Sequence, residues 1–205
     1  MKTLIAQGAE AKLFHENNLL VKERIPKSYR LKEIDGKLRI QRTRREAKIL
    51  EKALKVVPVP KVKSVDERSG KIVMEFIPGE KIADCLDGFE NKKRLEICKK
   101  IGKNVALLHN AEIIHGDLTT SNMLLNKNKV YFIDFGLSFI QNQAEHKAVD
   151  LHLLNQALES KHWKHYESSF KAVLQGYAKC AVDAGLILKR FELVELRGRY
   201  KRKGS

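Results

Sequence analysis

The sequence predicts an α+β chain of two lobes, a small one built from strands with one main helix and a mostly helical one after it. Three observations lead there. Five short strand-like runs fall before residue 77, the apolar period then changes from strand-like to helical, and a single apolar hairpin interrupts the helical part. A chain of 205 residues suits one compact unit that buries about 70% of its unfolded surface.

Taken in order, LIAQ, KLFH and LLVK form a meander, because Gly8 and the Asn17, Asn18 pair between them are turn formers. KVKSV and KIVMEF flank DERSG, whose Gly70 suits a hairpin turn. Between the third and fourth strands, Ala47, Leu50 and Leu54 recur at three- and four-residue spacing among Arg44, Arg45, Lys48 and Lys52. That pattern predicts an amphipathic helix over 41–55, stopped by Pro58 and Pro60. After IPGE at residues 77–80, Leu95, Cys98, Ile101, Val105 and Leu108 make one helical stripe. MLL, the turn NKNK and VYFID read as a hairpin buried on both faces. Phe170, Val173, Leu174, Tyr177 and Ala181 define another helical face before a basic end. The boundaries follow: residues 1–76 for the strand lobe, 77–196 for the helical lobe and 197–205 for a basic tail.

Composition narrows the function. Hydrophobic residues at 43%, charged residues at 32% and only four prolines exclude disordered and collagen-like chains, because the apolar material is enough for a core. The net charge is +15, and it is concentrated: residues 22–55 hold 13 basic and 5 acidic side chains, and 189–203 hold 7 and 2. Charge confined to two segments points to an anionic partner such as nucleic acid, nucleotide or acidic protein. Cys85, Cys98 and Cys180 are odd in number and widely spaced, which reads as buried reduced thiols. With no apolar leader core at the start and no membrane-spanning stretch, a cytoplasmic protein that meets no membrane is expected.

The residues that carry chemistry are HGDLTTSN, His115 to Asn122, and DFG, Asp134 to Gly136, joined by the apolar hairpin. Together they place a carboxylate and an amide before a strand pair and a second carboxylate at its end. Phosphoryl transfer needs such a set, since Mg²⁺ takes hard oxygen ligands while another carboxylate orients the attacking hydroxyl. Asp117 takes that last role in this reading, Asn122 and Asp134 are metal ligands, and His115 is a packing residue.

On these residues the chain resembles the protein kinase superfamily, and the resemblance implies a bilobal kinase-like fold with a shortened helical C-lobe. Lys22, ending the third strand in VKER, matches the lysine that grips the α and β phosphates of ATP, and Glu46 its ion-pair partner. IVMEFIPG matches the hinge between lobes, with Met74 as gatekeeper and Glu75, Phe76 and Ile77 along the adenine. QGAEA, with Gly8, Ala9 and Glu10, lies where kinases place a glycine-rich phosphate loop, although only one of the usual three glycines is present. Asp150 resembles the aspartate that holds the catalytic loop, and it suits a helix N-cap as well.

The departures are informative. Gly116 replaces the arginine that reads a phosphorylated activation loop, and thirteen residues between Gly136 and Asp150 leave no platform for a substrate peptide. With VKERIPKSYRLKEIDGKLRIQRTRREAKIL, IHGDLTTSNML, FIDFGLS and RGRYKRK, the chain is similar to the PRPK-type kinase subunits of the KEOPS complex over essentially its whole length. That resemblance implies ATP and Mg²⁺ as cofactors and a serine/threonine autokinase and ATPase activity. It further implies assembly with a catalytic threonylcarbamoyltransferase subunit and a small regulatory subunit, and a role in forming threonylcarbamoyladenosine at position 37 of tRNA. Arg197, Arg199, Lys201, Arg202 and Lys203, with Tyr200 to stack, could then follow an RNA backbone. A small-molecule phosphotransferase and a catalytically inactive RNA- or protein-binding module are the alternatives. His162 and His165 lack a third zinc ligand and read as solvent-exposed or packing residues, and Trp163 as a core or interface anchor.

Overall fold

The first 75 residues build an antiparallel sheet of five strands in the order β1-β2-β3-β5-β4. These are β1 (Thr3–Gln7), β2 (Ala11–Glu16), β3 (Leu19–Arg24), β4 (Val62–Asp66) and β5 (Lys71–Glu75). The computed structural model describes residues 2–8 and 10–203, with side chains as far as residue 197, so Met1, Ala9, Gly204 and Ser205 lie outside it. Asn17 and Asn18 both take positive φ, 48° and 60°, as the two-residue β2–β3 turn requires.

Helix α1 (Lys32–Ala53) lies between β3 and β4 and packs Ala47, Ile49, Leu50 and Ala53 into the core. It begins nine residues before the position the apolar spacing predicts. Its first turns bury no apolar stripe, with Leu31 70% and Ile34 50% exposed, so periodicity had no core-facing side to report there. Charge supports these turns: Asp35 takes Arg39 at 2.9 Å, an i,i+4 pair, and Arg30 at 3.6 Å.

The second lobe runs β6 (Glu80–Lys81), α2 (Ile82–Cys85), α3 (Asn91–Asn110), β7 (Ile113–Ile114), β8 (Met123–Asn126), β9 (Lys129–Phe132), β10 (Phe139–Ile140), α4 (Ala144–Lys161), α5 (Tyr166–Ala178) and α6 (Ala184–Lys203). The two-lobed α+β architecture is the expected one. Helices α3 and α5 cross with their backbones in contact: a Cβ on Gly102 would stand 1.9 Å from the Val173 carbonyl oxygen, and one on Gly176 2.1 Å from that of Lys99. Only paired glycines allow so close an approach. It lets Ile101, Val105, Val173 and Tyr177 share one core with α4.

Several expectations are corrected. Asp150 sits well inside α4, whose N-cap is Gln143, so it is not a helix cap. Trp163 is 70% exposed and no part of the core, whereas His162 is the packing residue of the two expected alternatives, buried on Asp87 (2.9 Å) and Thr120 (3.3 Å). All three cysteines are free, but only Cys98 is buried, and that burial pushes its thiol up to about 11. The backbone of 197–203 continues α6. Among the described residues no helix is long and apolar enough to cross a membrane.

Candidate active site

Strand periodicity places Lys22 and Arg24 on the same face of β3, toward α1. Both are buried, and both end on Glu46: Lys22 Nζ donates to Oε1 at 2.6 Å and Arg24 Nη2 to Oε2. Lys22 also donates to Asp134 Oδ1 at 2.7 Å, joining residues 112 apart in sequence. Burial disfavours the Lys22 ammonium, but the Glu46 and Asp134 carboxylates outweigh it and hold its pKa above the ordinary lysine value. Burial likewise opposes the Asp134 charge, and Lys22 overrides it to keep that carboxyl below its usual range. Asp134 takes a left-handed conformation, φ 60°, with its carboxylate accepting from the Gly136 amide at 3.3 Å. Phe135 turns the other way and is fully buried.

Opposite this cluster lies the 115–122 loop, held from behind by Asp150. Its carboxylate accepts from the His115 amide at 2.6 Å, the Gly116 amide at 2.9 Å and His109 Nε2 at 3.3 Å. The Asp117 amide donates to His115 Nδ1 at 3.3 Å, so the ring proton sits on Nε2, which donates to the Ile133 carbonyl at 3.1 Å. Burial pushes the His115 pKa down, in keeping with that neutral ring. Asn122 Nδ2 donates to the Asp117 carbonyl at 2.9 Å and to its Oδ2 at 2.8 Å. Gly116 has φ +79°, and a Cβ there would meet the Leu137 carbonyl oxygen at 2.6 Å. That backbone geometry accounts for glycine where kinases carry arginine.

The two halves face one cavity of about 290 Å³ whose lining includes Gly8, Glu10, Lys22, Asp117 and Asp134, together with Arg24, Arg42 and Leu137. Residues 21–153, more than half of the chain, match the RIO domain. The chain belongs to the RIO-domain family. Its relatives include the KEOPS complex subunit Bud32 of Pyrococcus abyssi, 46% identical over 97% of this chain and 96% of that one. The probable serine/threonine-protein kinase BUD32 homolog of Archaeoglobus fulgidus is 38% identical over 98% and 96%. A probable bifunctional tRNA threonylcarbamoyladenosine biosynthesis protein of Methanosarcina mazei is 39% identical over 96% of this chain, which spans 35% of that longer protein.

Within this RIO-domain chain, Glu46 stands behind Lys22 and Asn122 behind Asp117, each one contact from the cavity. The hinge residues Met74, Glu75, Phe76 and Ile77 are not part of that cavity. Met74 is buried opposite Leu20 and Val62, and Phe76 packs at a tilt against His15 with ring centres 4.2 Å apart. The Glu75 amide donates to the Lys61 carbonyl and the Phe76 amide to that of Asn18. Arg197 reaches back to Glu145 on α4 at 2.8 Å, and the side chains of Arg199, Tyr200, Lys201, Arg202 and Lys203 fall outside the described residues.

Part of the basic run of residues 22–55 is paired within the molecule: Lys22 and Arg24 on Glu46, Arg42 on Glu10, and Arg44 on Glu67. Arg24 was missed from sequence, although its two-residue offset from Lys22 already placed it on the same face. Arg42 had no such signal, because its partner lies 32 residues away. Among the described residues no three His, Cys, Asp or Glu side chains gather as a metal site. What the site offers is hard oxygen, from Asp134 and Asn122, a donor set that fits Mg²⁺ and not zinc.

Proposed function

We propose that the chain binds ATP with Mg²⁺ between its lobes and transfers the terminal phosphoryl group to a serine or threonine hydroxyl, its own included, or to water. One observation carries this reading: Lys22, Asp134 and Asp117 converge on one cavity from three separate segments. Lys22 grips the phosphates and Glu46 fixes its position. The Glu75 carbonyl and Ile77 amide pair with the adenine, and Gly8, Ala9 and Glu10 close over the phosphates. Asn122 and Asp134 hold Mg²⁺, which when bound neutralises charge on the phosphate oxygens. Asp117 accepts the proton of the attacking oxygen on Oδ1, while the Asn122 amide keeps Oδ2 in place.

We propose further that this is the cytoplasmic kinase and ATPase subunit of a KEOPS assembly that forms threonylcarbamoyladenosine on tRNA. It would be bound to the catalytic and small regulatory subunits, with the basic end of α6, from Arg197 on, along the tRNA. The KEOPS complex subunit Bud32 of Pyrococcus abyssi, which this chain matches over nearly its whole length, supports this. With little chain between Gly136 and α4, foreign proteins should be poor acceptors and ATP hydrolysis should quicken when partner and tRNA bind. Phosphate release with and without both is the test, and Asp117→Asn should lower it about 10²- to 10⁴-fold. Unchanged turnover in that variant refutes the mechanism. A strong peptide consensus in an unbiased substrate screen refutes the proposed acceptor preference.

A further inference from the structure

At the mouth of the cavity, Arg42 has no part in the scheme above, and neither has the Glu10 carboxylate, whose residue entered it only as part of the loop over the phosphates. Arg42 Nη1, from α1, donates to Glu10 Oε2, from the β1–β2 loop, at 2.6 Å, and both side chains line the cavity that holds Lys22 and Asp134. A carboxylate over a triphosphate is otherwise unfavourable, since like charges repel. We propose that Arg42 is a phosphate-binding arm of the cleft, and that Glu10 occupies it until the terminal phosphates of a nucleoside triphosphate take its place. The inference rests on the nucleotide reading of the cavity and adds a residue and a switch to it.

Four features support it. First, the Glu10–Arg42 pair is partly exposed, with side chains 48% and 28% accessible, so it is weak and exchangeable. Second, the exchange needs no loop movement. The Glu10 carbonyl accepts from the Ile25 amide at 3.1 Å and the Gly8 amide donates to the Ala11 carbonyl at 3.0 Å, so the backbone is anchored and only the Glu10 side chain has to rotate. Third, the cavity has cationic capacity beyond Lys22. Arg24 lines it with a side chain 4% exposed, and its buried Nε has no hydrogen-bond partner. Fourth, a planar guanidinium matches phosphate oxygens two at a time, which a carboxylate partner mimics.

Because Arg42 and Glu46 lie one turn apart on α1, a phosphate held by Arg42 would also tie that helix to the nucleotide. The pair would then sense the terminal phosphates and not the nucleoside. ATP should therefore respond to substitution here, while AMP, which lacks those phosphates, should not.

The test is a binding titration of the full chain with ATP and with AMP, in wild type, Glu10→Gln, Arg42→Gln and the double variant, with thermal unfolding to show that each is folded. Arg42→Gln should weaken ATP about tenfold, the loss of one charge-assisted contact. Glu10→Gln should tighten ATP about three- to fivefold, as an exposed pair no longer competes. In the double variant the Glu10 effect should vanish, leaving the affinity of Arg42→Gln, and AMP should be unaffected throughout. If Glu10→Gln tightens ATP equally in the Arg42→Gln background, Glu10 acts by general repulsion and the switch is wrong. If Arg42→Gln leaves ATP binding unchanged, the phosphate arm is wrong while the nucleotide site stands. If wild type binds neither nucleotide, both fall together.

Discussion

The roof of the cleft, formed by β3 and α1, differs in kind from its floor, the 115–122 loop. In the roof, two cations share one buried carboxylate and one of them reaches a second, so position is set by charge. In the floor, one buried carboxylate collects two backbone amides and a neutral histidine ring fixes the loop, so position is set by directed hydrogen bonds. A charged cluster fails as a unit when its shared carboxylate is removed, because the remaining buried cations lose their compensation. A hydrogen-bonded loop fails locally, which lets the floor present Asp117 while staying indifferent to what the phosphates bring.

This contrast can be broken most severely at Glu46. Glu46→Ala leaves Lys22 and Arg24 buried around an empty place and should cost about 3–5 kcal/mol in urea unfolding. Lys22→Met should cost much less, because Arg24 still satisfies Glu46, while ATP affinity falls. Equal destabilisation by the two would mean that Arg24 does not share the carboxylate. Next in size, Asp150→Asn should cost about 1–3 kcal/mol, since the amide keeps one acceptor and turns a donor toward a backbone N–H. Gly116→Ala belongs in the same range, at about 1–3 kcal/mol, for its positive φ and the Leu137 carbonyl in its way. Smallest is Arg44→Gln, which removes an exposed pair with Glu67 and should change stability by less than about 1 kcal/mol.

Acidity separates the two regions in another way. His115 is held below the ordinary histidine pKa, so its contribution is complete above about 6.5 and is lost as pH falls through its folded value. Asp134, also lowered, loses its contribution further into acid, and solvent at its half-exposed side chain keeps that contribution small. Lys22 is held above the ordinary lysine value of 10.5, so its contribution is complete below that pH and lost as pH rises through the folded value. Unfolding midpoints should therefore form a plateau across neutral and mildly alkaline pH, with the floor weakening first in acid and the roof in strong alkali. His115→Gln should flatten the first part of the acid limb.

Much of this was legible in the sequence because it rests on local rules. The β-strands follow from short strand-like runs and from Asn17, Asn18 and Gly70 at their turns, and the floor follows from the short interval between His115 and Asp134. The start of α1 was not legible, since its first turns are supported by Arg30, Asp35 and Arg39 and bury no apolar stripe. The place of Asp150 within α4 escaped because Asp suits both a cap and an interior acceptor. Arg42 and its Glu10 partner escaped because an ion pair across 32 residues leaves no periodic trace. The close crossing of α3 and α5 was equally silent, although Gly102 and Gly176 were in plain view, because a helical glycine reports nothing of what lies opposite it.

Nucleotide binding in this cleft depends most on Asp134 holding a metal-bound triphosphate against Lys22. Titrating wild type and Asp134→Asn with ATP, with and without Mg²⁺, measures that directly. Affinity should rise with Mg²⁺ in wild type, and the rise should disappear in Asp134→Asn while AMP binding persists. An equal gain from Mg²⁺ in both proteins would contradict the account.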